Sequence, residues 1–156
     1  MMYKKIQLFS AFMLLVFSMG AQDIESAYKL LSYGKAEDAV EMAQKVVSAD
    51  PANLGNKFSL YNLLNAAENY TEAAKVLEGI KVADASGPYG KTADVIQQLA
   101  AGANAEDLTS AIDKAIKKEK KAKGFLYRTV GEYFLFGQKK NPVKAIFYIK
   151  TAIDDY

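Results

Sequence analysis

The sequence contains neither cysteine nor histidine. Without cysteine, the chain forms no disulfide, offers no thiolate to a metal and carries no lipid-modified N-terminal cysteine. Without histidine, it lacks the side chain that most often serves as general acid or base and as metal ligand. These two absences close off much catalytic chemistry, and we expect no metal site.

The sequence also lacks the signatures of common catalytic and cofactor sites. It holds no Gly-rich phosphate loop, no Gly-x-Ser-x-Gly elbow and no cluster of metal ligands. Its adjacent acidic pairs, at 37–38, 106–107 and 154–155, would point in different directions on a helix, so they do not form an acid–base pair. We therefore expect neither enzymatic activity nor a cofactor.

Charge is nearly balanced, with 20 basic against 18 acidic residues. A chain without a basic excess gives no indication of nucleic-acid binding, so no nucleic-acid partner is expected. The charges are nevertheless polarised, because residues 22–80 are acidic overall and residues 81–156 are basic overall. Ends of opposite sign can orient a partner.

The first residues have the pattern of a signal peptide. Lys4 and Lys5 precede an almost wholly apolar stretch at 6–17, and small residues follow it before the chain becomes polar. As a helix, that stretch spans roughly 20 Å, too little to cross a hydrocarbon layer of ~30 Å comfortably. We predict a signal peptide at 1–21, cleaved after Gly20 or Ala21, rather than an uncleaved membrane anchor. The mature chain, 22–156, is expected in the periplasm or outside the cell, without a transmembrane helix.

A repeat organises the rest of the chain. Four pairs of residues follow one another at spacings of 34, 38 and 34 residues: Ala39-Val40, Ala73-Ala74, Ala111-Ile112 and Ala145-Ile146. Each alanine opens an apolar stripe with the period of a helix, and each stripe is preceded by a turn and another amphipathic helix. The pattern predicts helical hairpins that stack through these alanines. Asp50-Pro51 predicts a helix end, while Asn104 and Asn141 predict helix starts.

The segment from Ala27 to Val40, followed by Asp50-Pro51, resembles a tetratricopeptide repeat in its order of small, large, Gly, Ala and closing Asp-Pro residues. Residues 69–74 are similar to the start of the family's second helix, and residues 131–137 to its Gly-x-x-aromatic first helix. The N-terminal pattern resembles that of exported proteins of the Bacteroidota.

The resemblance to tetratricopeptide repeats covers Ile24 to Tyr156. It implies an all-α fold, a right-handed superhelix (solenoid) of about four hairpins. The units would be at about 22–53, 54–87, 88–123 and 124–156. The third unit departs most from the pattern. Its first helix is predicted to be short, ending near Gly102, and Lys118 and Glu119 interrupt its apolar stripe.

In that family, partners bind the concave face formed by the first helix of each unit, so the resemblance implies a protein or peptide partner. By register, this face would expose some of seven residues: Tyr28, Leu31, Phe58, Asn62, Asn65, Arg128 and Glu132. The expected function is a non-catalytic scaffold or adaptor of the periplasm or cell envelope. A resembling subfamily grips a terminal carboxylate in three successive units, but here only Asn62 and Arg128 fit that pattern, so we do not expect that specific function.

A lysine cluster offers an alternative function. It comprises Lys114, Lys117, Lys118, Lys120, Lys121 and Lys123. We place it at the end of a predicted helix, where lysines complement the negative helix terminus. It is either a solvated helix end or a contact for an anionic surface or polyanion, with peripheral association to the envelope.

Aromatic residues supply much of the bulk of the predicted core, and most are expected to pack between helices. Those near the C-terminus are Phe125, Tyr127, Phe134, Phe147 and Tyr148. A second alternative is a structural subunit, in which the apolar C-terminal helix docks into an oligomer or into a further part of the chain. The residues that would do so are Ile146, Phe147, Ile149 and Ile153.

Overall fold

The computed structural model describes residues 23–115 and 119–156, and within these ranges the chain is entirely helical, without a strand. The all-α prediction is confirmed. The predicted signal peptide lies outside the described residues. The described chain forms eight helices: α1 (Ile24–Ser32), α2 (Ala36–Ala49), α3 (Leu54–Ala66), α4 (Tyr70–Ala83), α5 (Pro88–Ala101), α6 (Ala105–Ala115), α7 (Lys120–Phe136) and α8 (Pro142–Asp155).

Asparagine caps begin half of these helices. The side chains of Asn53, Asn69, Asn104 and Asn141 each accept a hydrogen bond from the backbone N–H three residues further on, at 3.0, 3.4, 3.1 and 3.0 Å. Such caps satisfy one of the orphan donors of a first turn. The predicted starts at Asn104 and Asn141 are therefore confirmed, as is the end of α2 at Asp50.

Sequential helices pair as hairpins in three places along the described chain. α1 packs on α2, α3 on α4, and α7 on α8, while α2 also packs on α3 and α4 on α5. The third pair differs, because α5 makes little contact with α6 and packs instead on α4 and α7. α3 also contacts α7 directly. α5 has 14 residues, so the prediction of a short helix was wrong. Its predicted end near Gly102 is confirmed, because the helix ends at Ala101 and Gly102 is its C-cap.

The repeated alanines follow the predicted register in three of four places. Ala39, Ala73 and Ala145 are buried, but Ala111 is exposed. Helix α6 turns Ala105 and Thr109 inward instead. Two residues correspond to about 200° around a helix, so burial of Thr109 places Ala111 on the opposite side. The Thr109 hydroxyl is satisfied because it donates to the Ala105 carbonyl at 2.7 Å.

Aromatic contacts tie non-adjacent helices together. The ring of Phe58 on α3 lies 6.2 Å from that of Tyr89 on α5 and 5.1 Å from that of Phe125 on α7. Phe134 stacks on Tyr148 at 6.0 Å, joining α7 to α8. Among the aromatics predicted to be in the core, Phe134 and Tyr148 are buried and Phe125 and Tyr127 are half-buried.

Phe147 is exposed, so its prediction as a core residue was wrong. It borders an open pocket together with Thr109 of α6 and Tyr127 of α7. In the part of the chain that the structure describes, no helix is both long and apolar enough to cross a bilayer.

Candidate binding surfaces

The seven residues expected on a concave face lie on α1, α3 and α7, and they are unequally accessible. Arg128 is exposed, and Tyr28, Leu31 and Glu132 are half-buried. The others are buried inside the chain: Phe58, Asn62 and Asn65. This differs from the expectation of an open face, because α7 packs directly against α3 and covers it.

Four of the seven residues form a polar cluster between these helices. Asn62 donates from Nδ2 to Oε2 of Glu132 at 2.7 Å, and Arg128 Nε lies 3.6 Å from Oε1 of the same carboxylate. Burial raises the pKa of Glu132, although Arg128 and Asn62 oppose the shift. Burial and the charge of Glu132 likewise raise the pKa of Tyr28. The cluster ties α3 to α7 and leaves little of the carboxylate open to a ligand.

An open cleft of about 220 Å³ lies between α4 and α5, with α3 and α7 behind it. We call it the tyrosine cleft. Its walls are mostly small or apolar, and its polar groups are phenols and amides. The lining residues are Tyr61, Asn65, Tyr70, Ala73, Ala74, Leu77, Ile96, Gln97, Ala100, Tyr133 and Gln138. None of these described residues carries a charged side chain.

Small side chains at the rim and one hydrogen-bonded amide shape this cleft. Ala74 and Ala100 stand exposed at its rim, where larger side chains would fill it. The Gln97 amide is held in place, because it accepts from Lys81 Nζ at 2.8 Å and donates to Glu78 at 2.7 Å. The rim is therefore ordered by bonds between α4 and α5.

Tyr61 on α3 and Tyr133 on α7 line the inner side of the cleft and stay uncharged. Burial raises the pKa of both Tyr61 and Tyr133, and the proximity of Tyr133 adds to the shift at Tyr61. The Tyr133 hydroxyl is buried without a hydrogen-bond partner among the described residues. Both phenols thus present neutral surface at physiological pH.

Of the residues predicted from the sequence, only Asn65 lines the tyrosine cleft. Tyr61 and Tyr133 were missed, although the sequence held a signal for them. They lie 72 residues apart, the same separation as Ala73 and Ala145, so they occupy equivalent places in the second and fourth hairpins. A search for polar or aromatic residues at the repeat period would have paired them.

The lysine cluster is divided between two helices. Lys114 is in the last turn of α6, as expected, but Lys120, Lys121 and Lys123 are in the first turn of α7. The prediction that the cluster closes a helix was wrong for these three, since their charges add to the positive end of a helix dipole. Lys117 and Lys118 lie outside the described residues.

Lys123 is not available to a partner, because its Nζ lies 3.1 Å from Asp113 and the pair is mostly buried. Lys120 and Lys121 are exposed. Within the described residues, the cluster therefore offers an anionic partner Lys114, Lys120 and Lys121.

The outward face of α8 carries a group of exposed apolar side chains: Val143, Ile146, Phe147 and Ile153. Ile149, which was predicted to belong to the same group, is half-buried against α7. A stripe of this kind on one helix is typical of a contact surface.

These surfaces offer shape, hydrogen bonds and apolar area. Within 23–115 and 119–156, no group of three or more acidic residues is arranged to hold a metal ion. No family model, no curated protein and no solved structure matches the chain. The similarity to tetratricopeptide repeats therefore stays a prediction from the residues.

Proposed function

We propose that the protein is a non-catalytic scaffold of the cell envelope that binds a peptide segment of a partner protein in the tyrosine cleft. The observation that carries this proposal is an open, uncharged cleft bordered by four helices and lined by phenol and amide groups. The proposal includes export after signal-peptide cleavage and a superhelical stack of tetratricopeptide-like hairpins.

The dimensions of the cleft favour a peptide. A volume of about 220 Å³ is below the usual range for drug-sized ligands and suits one or two side chains of an extended segment. Phenols and amides can donate to and accept from peptide groups, and apolar walls accept an aliphatic or aromatic side chain. Because the lining carries no charge, the preferred segment is itself uncharged where it enters.

Filling the cleft tests this function. Ala74→Trp and Ala100→Trp place bulk at its rim, whereas Ala111→Trp places the same bulk on the exposed side of α6. Peptides are first selected from a displayed random library on the wild-type chain, and their affinities are then measured by fluorescence polarisation. We expect about tenfold or greater weakening for both cleft variants and less than about twofold for Ala111→Trp.

Two outcomes contradict the proposal. One is a library from which no peptide is enriched in repeated selections. The other is a set of peptides that bind the two cleft variants as tightly as the wild-type chain. In the second case, loss of binding after Lys114, Lys120 and Lys121 are replaced by Gln would assign recognition to the lysine cluster instead.

A further inference from the structure

We infer that Gln97 selects the chemistry of the segment in the tyrosine cleft. Its side-chain amide forms hydrogen bonds with an uncharged amide group of the segment, and Lys81 and Glu78 hold it in place for that contact. This inference rests on the proposed function, and it adds which group of the partner the cleft recognises. Gln97 lies on α5, is half-buried and lines the cleft.

The two partners of the Gln97 amide fix its orientation. An ammonium group only donates hydrogen bonds, and a carboxylate only accepts them. Oε1 therefore lies next to Nζ of Lys81, at 2.8 Å, and Nε2 next to Oε2 of Glu78, at 2.7 Å. With oxygen and nitrogen exchanged, neither hydrogen bond could form. The amide consequently has one orientation rather than two.

Lys81 is itself fixed between the two helices. Its Nζ lies 2.6 Å from Oδ1 of Asp94, and this hydrogen bond lowers the pKa of Asp94 and raises the pKa of Lys81. Both groups therefore stay charged at neutral pH. Lys81 and Glu78 are on α4 and Asp94 is on α5, so the Gln97 amide is held from the facing helix.

Hydrogen-bonding capacity remains on the Gln97 amide after these contacts. A primary amide has two N–H groups and two oxygen lone pairs, and Lys81 and Glu78 use one of each. Each of these charged partners polarises the amide, which strengthens the N–H and the lone pair that remain. A segment in the cleft comes within reach of both, because Gln97 forms part of the wall.

An uncharged amide matches this capacity best. It can accept from the remaining N–H and donate to the remaining lone pair. A carboxylate on the N–H would lie near the carboxylate of Glu78, and an ammonium on Oε1 would lie near Lys81, so each would meet a like charge. An aliphatic group would leave both positions unpaired. The amide group comes either from the main chain of the segment or from an Asn or Gln side chain.

Holding the amide before the segment binds lowers the entropic cost of the contact. A free Gln side chain loses rotamer freedom when a ligand fixes it. The Gln97 side chain has already lost this freedom in the folded chain, through its bonds to Lys81 and Glu78. Lys81 and Glu78 are therefore positioning residues, which act through Gln97.

Gln97→Met tests the contact, because it keeps the approximate length of the side chain and removes both hydrogen-bonding groups. Peptides selected on the wild-type chain are expected to bind this variant about tenfold more weakly. Gln98→Met is the matched control. Gln98 is the next residue of α5 and donates to Asp94 at 2.7 Å, but it does not line the cleft. Its replacement should change the affinity by less than about twofold.

Two variants of Glu78 test the positioning. Glu78→Met and Glu78→Gln both remove the charge, but only glutamine retains an acceptor for Nε2 of Gln97. Glu78→Met is expected to weaken peptide binding, and Glu78→Gln to bind at least about threefold more tightly than Glu78→Met. Combined with Gln97→Met, Glu78→Met should have no further effect. Equal affinities of the two Glu78 variants would reject the positioning role.

Modified peptides show which amide Gln97 contacts. Each main-chain amide of a selected peptide is replaced in turn by an ester, and each Asn or Gln by Leu. A replacement that weakens binding to the wild-type chain but not to Gln97→Met identifies the contacted group. An ester effect assigns the main chain, and a Leu effect assigns the side chain. If the effect of no replacement depends on Gln97, the inference is wrong.

The outcomes separate this inference from the proposed function. Peptides that bind Gln97→Met as tightly as the wild-type chain, but bind Ala74→Trp and Ala100→Trp weakly, would overturn the inference and leave the cleft as the binding site. Peptides that bind both tryptophan variants as tightly as the wild-type chain would overturn both proposals. Far-UV circular dichroism checks that the Gln97 and Glu78 variants retain the helix content of the wild-type chain.

Discussion

Glu132 is held between α3 and α7 at a cost in free energy. Its carboxylate accepts from Asn62, while Oδ1 of Asn62 is buried without a partner among the described residues. Burial raises the pKa of Glu132, which means that the folded chain favours its neutral form. A group of this kind contributes its full stability below the pKa of the unfolded chain and loses it as pH rises through the folded value. Glu132 by itself therefore contributes less stability as pH rises above its ordinary value of 4.5, whereas carboxyls with a lowered pKa, such as Asp94 and Glu106, contribute more.

Glu132→Gln is therefore expected to stabilise the chain at neutral pH. The amide removes the buried charge and can donate to the unpartnered oxygen of Asn62, and one satisfied buried group contributes about 1 kcal/mol. The ion pair with Arg128 that is lost contributes little, because the guanidinium is more than half exposed. Urea denaturation at pH 7 should show the gain, and at pH 4 the two proteins should be alike.

Glu41→Gln is a control for this measurement, because Glu41 is exposed and paired only with Lys45 on the same helix. It should give no gain at either pH. Destabilisation of the chain by Glu132→Gln at pH 7 would mean that the carboxylate contributes more as an ion-pair partner than it costs by burial.

At the scale of helices, α7 and α8 form the most extensive pair in the described chain. They approach each other closely at Gly131. A Cβ atom built there would lie 2.6 Å from Cγ1 of Ile149, 3.0 Å from its backbone nitrogen and 3.1 Å from the Ala145 carbonyl oxygen. Two of these three atoms are backbone and cannot move aside without moving α8. The distance between the two helices thus depends on the absence of a side chain at 131.

Two Gly→Ala substitutions should consequently have opposite effects. Gly131→Ala is expected to destabilise the chain by about 1–3 kcal/mol, because overpacking forces the helices apart. Gly79→Ala on α4, where a Cβ would meet nothing within 4 Å, should stabilise it by about 0.5–1 kcal/mol through helix propensity alone. Urea midpoints of the two variants measure both effects, and stabilisation by both substitutions would contradict the close approach.

At the scale of the whole molecule, the hairpins are unequally joined. α3 and α7 contact each other and several further helices, and each contributes many buried side chains. α6 fully buries only Ala105 and Thr109, while Leu108 and Ile112 pack partly buried against the core. Two ion pairs also connect it to α7 and α8, Asp113 with Lys123 and Glu106 with Lys144. Elements with few buried apolar contacts open at low free energy.

Hydrogen exchange should reveal this order. We expect amides of α6 to exchange well before those of α3 and α7, whose protection should approach that of global unfolding. Mass spectrometry of peptic fragments provides the measurement, and α4 serves as an internal reference. Equal protection of α6 and α7 would show that the chain opens as a single unit.

Much of the helical pattern could be derived from neighbouring residues. Helix starts at Asn104 and Asn141, the end of α2 and the burial of Ala39, Ala73 and Ala145 were all predicted. These features depend on capping groups and on apolar periodicity within one or two turns, and such interactions are local in the chain. The pairing of α1 with α2, α3 with α4 and α7 with α8 also followed from the repeat spacing, but the predicted third hairpin did not, because α5 makes little contact with α6.

The accessible surfaces depended on contacts between distant parts of the chain. Burial of Phe58 and Asn62 follows from the packing of α7 on α3. The tyrosine cleft exists because α4 and α5 border a space in front of α3 and α7. Exposure of Ala111 and Phe147 follows in the same way from the rotation of α6 and α8 against their neighbours. An apolar stripe shows that a helix must be covered by another. Which helix covers it, and at what packing angle, depends on all the helices together, so a local pattern does not specify either.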